Sequence, residues 1–326
     1  MLIPTLTGKN GMDAVIMAGG PQSVFAKSLP NKTFIKIRGR ALFIHVLATL
    51  VQVDAFGRIF IVGPKRDLEK EMDTSGLDLK GKQVITVQEA NSLVGNMLAA
   101  FRHSTGLHLQ TGNPSPAQLD QPIFAIGGDS PLVLPEEVTQ FLSRCDLAQY
   151  DYFLGMTPAD VMDRFKPTLT RRGISMAYTH FAEDAMRINN MHLVKPLRVV
   201  NQHEFNEIYR LRHLRNPLNI LKLAYALTKR HFGLRDWTGW LGMFMAMALG
   251  RLRLKFLSTP FRKNISLERV ERVASRLLGT RAKIVVTTCG GAALDVDKLK
   301  NVAAIEENFY RWTALQREPN APRPGV

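Results

Sequence analysis

The stretch DAVIMAGGPQSVFAKSLPNK (13–32) runs an apolar segment into Gly19 and Gly20 and follows it with a polar loop carrying Lys27 and Lys32. Glycine turns the backbone at positive φ without steric cost and lets an anion approach main-chain amides closely. With lysines nearby, such a turn suits phosphate. The same letters also describe an ordinary strand-to-helix turn, so the companions of the glycine pair decide between the readings. Further along, an apolar run ends at Asp129 in PIFAIGGDSPL, and Asp295 and Asp297 stand just before the last helical stretch in LDVDKLKNVAA.

Residues this far apart can meet only if a sheet gathers them. The first half alternates strand-like and helix-like stretches, the pattern of a mostly parallel sheet with helices on its faces. Strands are predicted over 13–18, 58–63, 83–87 and 122–129, and helices over 41–53, 92–103 and 134–145. From 151 the pattern changes to short strands, 151–156, 167–172, 174–180 and 186–194, which predicts a more antiparallel cover forming one wall of a pocket. Residues 202–278 read as mostly helical, closing with a helix that has Ser266 as N-cap and Gly279 as C-cap. A strand over 282–288 and a final helix follow, and QREPNAPRPGV reads as a disordered tail. The expected organisation is an α/β core over 1–194, a basic helical lobe over 195–281, a closing strand and helix over 282–315, and a tail over 316–326.

A chain of 326 residues with 45% hydrophobic content can bury one large α/β core or two smaller ones. Cys145 and Cys289 lie far apart with no ligand-like spacing, which supports neither a disulfide framework nor a zinc site. The opening residues lack a basic segment followed by an apolar run, so the expected location is the cytoplasm.

The segment MAGG...NKTFIKIRGRALFIHVL resembles the opening of the molybdopterin-nucleotidyltransferase-like group of sugar-type nucleotidyltransferases. Lys32, Gly39-Arg40-Ala41-Leu42 and His45 fall in the family's spacing, with Ala41 where proline is usual. Val24 stands where an arginine is usual, and Lys27 is the candidate to take over its phosphate contact. The resemblance implies a three-layer Rossmann-like (GT-A-like) mixed sheet, here with an inserted basic helical lobe. It implies a Mg²⁺-dependent transfer of a nucleoside monophosphate from a nucleoside triphosphate to a phosphorylated or hydroxylated small molecule, with pyrophosphate released. By position, Ala18, Gly19, Gly20, Lys27 and Lys32 would meet the nucleotide, with Lys32 and Asp129 as the catalytic pair. Asp129 and Asp297 would hold Mg²⁺, both at the ends of strands, with Asp295 as a cap or supporting group. QEANSLVGNMLAAF resembles the stretch in which relatives read the base, making Ser92, Leu93 and Asn96 candidates. RINNMHLVKP occupies the acceptor-facing position, making Asn190 a candidate contact, with His192 and Lys166 beside it.

The physical reading agrees with the resemblance. A triphosphate needs amides, a lysine and a divalent cation to offset its charge. Magnesium prefers a few carboxylates plus water and substrate oxygens, and in-line attack on phosphorus asks for positioning more than covalent chemistry. Helix capping explains Asp129 and Asp297 equally well as isolated letters, and His45 reads as a hydrogen-bonded core residue. A nucleotide-sugar glycosyltransferase of similar fold and a non-catalytic nucleotide sensor are the open alternatives.

Charge sets one segment apart. Residues 195–283 carry 19 basic and 5 acidic side chains, nearly all of the net +15. Within it, fourteen uncharged residues from Trp237 to Gly250 precede Arg251, Arg253 and Lys255. That is short of the ~20 residues a spanning helix needs. Met243, Met245 and Met247 suit core packing. Trp237 and Trp240 with the arginines would instead suit contact with an anionic membrane surface, and the charge alone would attract a phosphorylated acceptor. No helix-turn-helix, aromatic-strand or zinc-finger pattern supports nucleic acid as a partner.

Overall fold

A computed structural model describes residues 11–21, 28–109, 112–204 and 266–318. Its strands are β1 (Met12–Met17), β2 (Lys36–Ile37), β3 (Arg40–Ala41), β4 (Phe56–Gly63), β5 (Gln83–Gln88), β6 (Ile123–Gly127), β7 (Tyr152–Pro158), β8 (Thr179–His180), β9 (Ala185–Val194) and β10 (Ala282–Val286). Its helices are α1 (Leu42–Leu50), α2 (Lys65–Ser75), α3 (Leu93–Thr105), α4 (Pro116–Asp120), α5 (Pro135–Ser143), α6 (Ala159–Asp163), α7 (Leu267–Leu278) and α8 (Leu299–Leu315).

The main sheet runs β10-β7-β9-β6-β1-β4-β5, with β8 paired to β9. β1 lies between β4 and β6, parallel to both, and β5 continues the parallel set. β9 runs antiparallel to β6 and β7, so the sheet is mixed, as the resemblance implies. The sequence MDAVIM explains why β1 is central. Ala14 and Ile16 pack on one face with α1 and α5, and Val15 packs on the other with α3 and α7. A strand covered on both faces must be apolar at consecutive positions. From α1 alone, Leu42, Phe43, Ile44, Val46, Leu47 and Leu50 are buried, each worth ~1.5–3 kcal/mol for a full-size side chain.

After β1 the chain steps to β4 and β5, then returns through α3 to β6 on the opposite side of β1. In open α/β sheets, ligands bind in the crevice outside the carboxyl ends of the strands where the order reverses. Gly19–Gly20 follow β1 and Asp129 follows β6, so topology brings both to that crevice.

Local signals survive intact where caps define them. Ser92 Oγ accepts from Gly95 N at the start of α3, and Gly106 closes that helix at φ +72. Ser266 and Gly279 cap α7 as expected. The expected strand over 167–172 does not form, and 174–180 shortens to β8. That segment instead turns on Thr168 N to Arg171 O and is held by Ile174 N to Phe165 O. An alternating pattern becomes a strand only where a neighbour offers a ladder. Gln316, read as the first residue of the tail, is buried, with Nε2 donating to Leu132 O.

Residues 205–265, which carry most of the expected basic lobe and its Trp237–Gly250 stretch, lie outside the described residues, as do Lys27 and the chain from 319. Among the described residues no helix is long and apolar enough to cross a membrane.

Candidate active site

The turn after β1 is fixed from three directions. Ala18 N donates to Val62 O at 2.8 Å, and its own carbonyl accepts from Asn31 Nδ2 at 2.8 Å and Thr33 Oγ1 at 3.2 Å. Asn31, almost fully buried, also accepts from Thr33 N through Oδ1 at 2.9 Å. The loop that leaves at Pro21 is therefore pinned on its return, and Lys32 sits between the two pins. Gly20 adopts φ +139, a conformation side chains resist, and its amide donates to Glu89 Oε2 at 2.8 Å. A Cβ on Gly19 would lie 2.3 Å from the same oxygen and 3.1 Å from Asn96 Nδ2. Gly20 is thus required by its dihedral, while a side chain at Gly19 would displace the Glu89 carboxylate.

Asp129 stands two residues past β6. Gly128 N donates to Met17 O at 2.9 Å, carrying the pairing with β1 one step further. Asp297 arrives differently from the strand end expected for it. It lies eleven residues beyond β10, on a loop drawn back across the sheet edge by long-range ties. Val296 N donates to Asp129 O at 3.0 Å, and Arg187 Nε donates to Ala293 O at 2.8 Å. The Arg187 guanidinium also pairs with Asp295, and Ala292 N donates to Glu137 Oε2 at 3.0 Å.

The result is a cluster in which carboxylate oxygens of Asp129, Asp295 and Asp297 all lie within 4.8 Å of one another. Lys32 Nζ bridges two of them, 2.6 Å from Asp129 Oδ2 and 2.8 Å from Asp297 Oδ1. Burial of the Lys32 amine favours its neutral form, but attraction to Asp129 and Asp297 outweighs this and holds the group charged well beyond the usual lysine range. Asp295 is the most buried of the three. Burial pushes its carboxyl upward, Arg187 pulls it back, and the neighbouring aspartates add to the rise. Asp295 is thereby committed to Arg187, whereas Asp129 and Asp297 share a cation already. An all-oxygen set of carboxylates matches a hard divalent ion such as Mg²⁺.

One glycine limits this geometry. A Cβ on Gly127 would lie 2.7 Å from Asp129 Oδ1, so Gly127→Ala is expected to turn that carboxylate aside. Turnover should fall about tenfold, since a misplacement near 1 Å costs up to ~100-fold, while thermal unfolding shifts little. Unchanged kinetics would show that Asp129 has room to spare.

The remaining sequence candidates fall in distinct places. Ser92 caps α3 and Leu93 is its first residue; Asn96, buried one turn on, accepts from Ala90 N through Oδ1 at 2.6 Å. Of these, Asn96 stands with Glu89 beside Gly19. Asn190 has φ +60 in a break of β9, where three residues oppose Gly155 of β7. Its Nδ2 reaches Ala292 O at 3.4 Å, and its Cβ approaches Gly127, beside Asp129. His192 is placed elsewhere. It pairs in register with Ala125 and bonds Tyr152 Oη through Nδ1 at 2.9 Å. Ala125 lies two positions inside the end of β6, whereas Asp129 lies two residues beyond it. Lys166 bonds Asp163 at 2.5 Å and lies over the Tyr178 ring, with no tie to the carboxylate cluster. His45 bonds Ile37 O at 2.8 Å, as a core histidine does.

Asn31, Thr33, Glu89, Arg187 and Glu137, which brace the glycine turn or the aspartate loop, were not singled out in the sequence. Asn31 and Thr33 flank Lys32 and were legible as a turn pair. The other three act through contacts roughly seventy to a hundred and fifty residues away, which leave no local signal.

A family model described as the MobA-like NTP transferase domain matches residues 14–199. No curated protein matches the chain. Among solved structures, a hypothetical transferase from Thermus thermophilus superposes with a TM-score of 0.58 at 21% identity, covering 90% of this chain and 99% of its own. That likeness shows a shared fold. Looser likenesses are to 4-diphosphocytidyl-2C-methyl-D-erythritol synthase from Anaerococcus prevotii DSM 20548 (TM-score 0.45, 11% identity, 93% of this chain and 100% of that one). A CMP:2-keto-3-deoxy-manno-octonic acid synthetase complexed with CTP gives a TM-score of 0.44 at 13% identity, with 93% and 99% covered.

Proposed function

Because the chain belongs to the MobA-like NTP transferase domain family, and is a nucleotidyltransferase in that sense, we propose that it moves a nucleoside monophosphate from a nucleoside triphosphate to a small acceptor bearing a phosphate or hydroxyl. The observation that carries this reading is the meeting of Lys32, Asp129 and Asp297, from three distant parts of the chain, on the strand edge that bears the Gly19–Gly20 turn.

In the reaction, the acceptor oxygen forms a bond to the α-phosphorus while the bridging bond between the α- and β-phosphates breaks, and pyrophosphate leaves. A hydroxyl acceptor gives up its proton to solvent; a phosphate acceptor has none to lose. Gly19 and Gly20 offer amides to the phosphates, and Lys32 supplies a charge that follows the leaving group. Asp129 and Asp297 would hold Mg²⁺, which when bound screens the phosphate charge. Ser92, Leu93 and Asn96 would meet the base, as the resemblance implies, and Asn190, whose Cβ approaches Gly127 beside Asp129, would meet the acceptor. Positioning accounts for most of the expected rate gain.

The test incubates the protein with each of the four nucleoside triphosphates, Mg²⁺, inorganic pyrophosphatase and a panel of sugar phosphates and polyols. Phosphate release that requires both one triphosphate and one acceptor, and that stops with EDTA, is the expected result. Turnover of nucleotide-sugar donors with no consumption of triphosphate would replace this reading with glycosyl transfer.

A further inference from the structure

Both charge types of a metal–triphosphate ligand have counterparts inside this site. The Lys32 ammonium bridges Asp129 and Asp297 at 2.6 and 2.8 Å, where a cation would be gripped. The Glu89 carboxylate accepts from Gly20 N at 2.8 Å, on an amide suited to phosphate. Neither contact is needed to form an element. Glu89 stands just past β5, and Lys32 is held by its backbone through Asn31 and Thr33, with a side chain still 35% exposed.

We propose that Lys32 and Glu89 form an internal salt set that makes the divalent cation and the polyphosphate bind together far more tightly than either binds alone. The inference rests on the function proposed above. A free divalent cation must displace an ammonium from two charge-assisted hydrogen bonds, and leaves that ammonium without an anionic partner. A polyphosphate supplies the partner, drawing Lys32 away from the aspartates. In the same way, a polyphosphate arriving alone meets the Glu89 carboxylate on the amide and the aspartates beyond it, and a cation offsets that repulsion. Linkage requires the two effects to be equal in size.

The coupling is tested on the full chain without any turnover measurement. Binding of Mn²⁺ alone is read from the free-ion electron paramagnetic resonance signal, and binding of inorganic tripolyphosphate alone by calorimetry in EDTA. Lys32→Met should bind Mn²⁺ about tenfold more tightly than the wild type, and Glu89→Gln should bind tripolyphosphate about tenfold more tightly, within the 5–150-fold range usual for coupled sites. Lys32→Gln repeats the first measurement, and far-ultraviolet circular dichroism confirms that each variant is folded. Asp129→Asn in the Lys32→Met background should abolish the gained Mn²⁺ affinity. Equal or weaker Mn²⁺ binding by both Lys32 variants, or equal or weaker tripolyphosphate binding by Glu89→Gln, overturns the proposal. Failure of the transferase reading would appear elsewhere, as absent acceptor-dependent release by a wild type that still shows both effects.

Discussion

Asp129→Asn is expected to lower kcat/KM for nucleotidyl transfer by about 10³-fold, equivalent to roughly 4 kcal/mol of transition-state stabilisation. The amide keeps the shape of the side chain and leaves the main-chain bond from Val296 N to Asp129 O untouched. What changes is charge. Lys32 loses one of its two carboxylate partners, and a divalent ion held as proposed would lose a ligand, so both positive groups would shift toward Asp297. Stability should hardly move, because removing one carboxylate also relieves the crowding of three within 4.8 Å. Steady-state kinetics paired with calorimetric melting checks both halves. Wild-type turnover by a folded Asp129→Asn protein would remove this residue from the reaction.

Glu137→Gln is expected to remove most of the dependence of stability on pH between 5 and 8. Glu137 is fully buried in α5, with Oε2 accepting from Ala292 N and Oε1 lacking any protein partner. Burial pushes its carboxyl up to about 8, although the main-chain groups of Ala292, Gly291 and Leu134 oppose the rise. A folded value above the unfolded one, 4.5, means that folding takes up a proton at neutral pH. The stabilisation is therefore complete below about pH 4.5 and drains away as pH climbs toward 8, at ~1.4 kcal/mol per unit. Across pH 5 to 8 this amounts to about 4 kcal/mol. Glutamine has no proton to lose, and it brings a donor into a pocket where Gln316 Oε1 also lacks one. The variant should match the wild type near pH 5 and exceed it by several kcal/mol at pH 8 in urea titrations. Cys289, whose thiol burial and the nearby Glu137 charge push up to about 12, stays neutral throughout this window. Parallel pH profiles for the two proteins would count against a buried, titrating Glu137.

Much of this molecule is legible from its letters, and the limits have physical causes. β1 could be placed because a strand buried on both faces leaves a continuous apolar run, and α7 because Ser266 and Gly279 act within one turn of themselves. The glycine pair and Asp129 were visible because strand ends are punctuated. The path of Asp297 was not, since it depends on Arg187 and Glu137, which reach across more than a hundred residues. Glu89 was passed over because an acid beside a phosphate-type turn looks misplaced until its bond to Gly20 is seen. His192 shares a strand with Asn190, and no pattern in RINNMHLV announces that the chain breaks its ladder between them.

That break has a bearing on how the molecule can vary. Between the pairs Leu154–His192 and Met156–Ile188, β9 carries two residues more than β7. Two is an even surplus, so the outer half of the strand keeps the facing it would have had uninterrupted, and Arg187 stays aimed at the aspartate loop. Losing a single residue at Asn189 or Asn190 would make the surplus odd, and unless a one-residue bulge formed in its place that half would invert. The guanidinium would then leave Asp295 for the opposite side, although the deletion touched neither partner. Length variation here disturbs the site least when it comes in pairs.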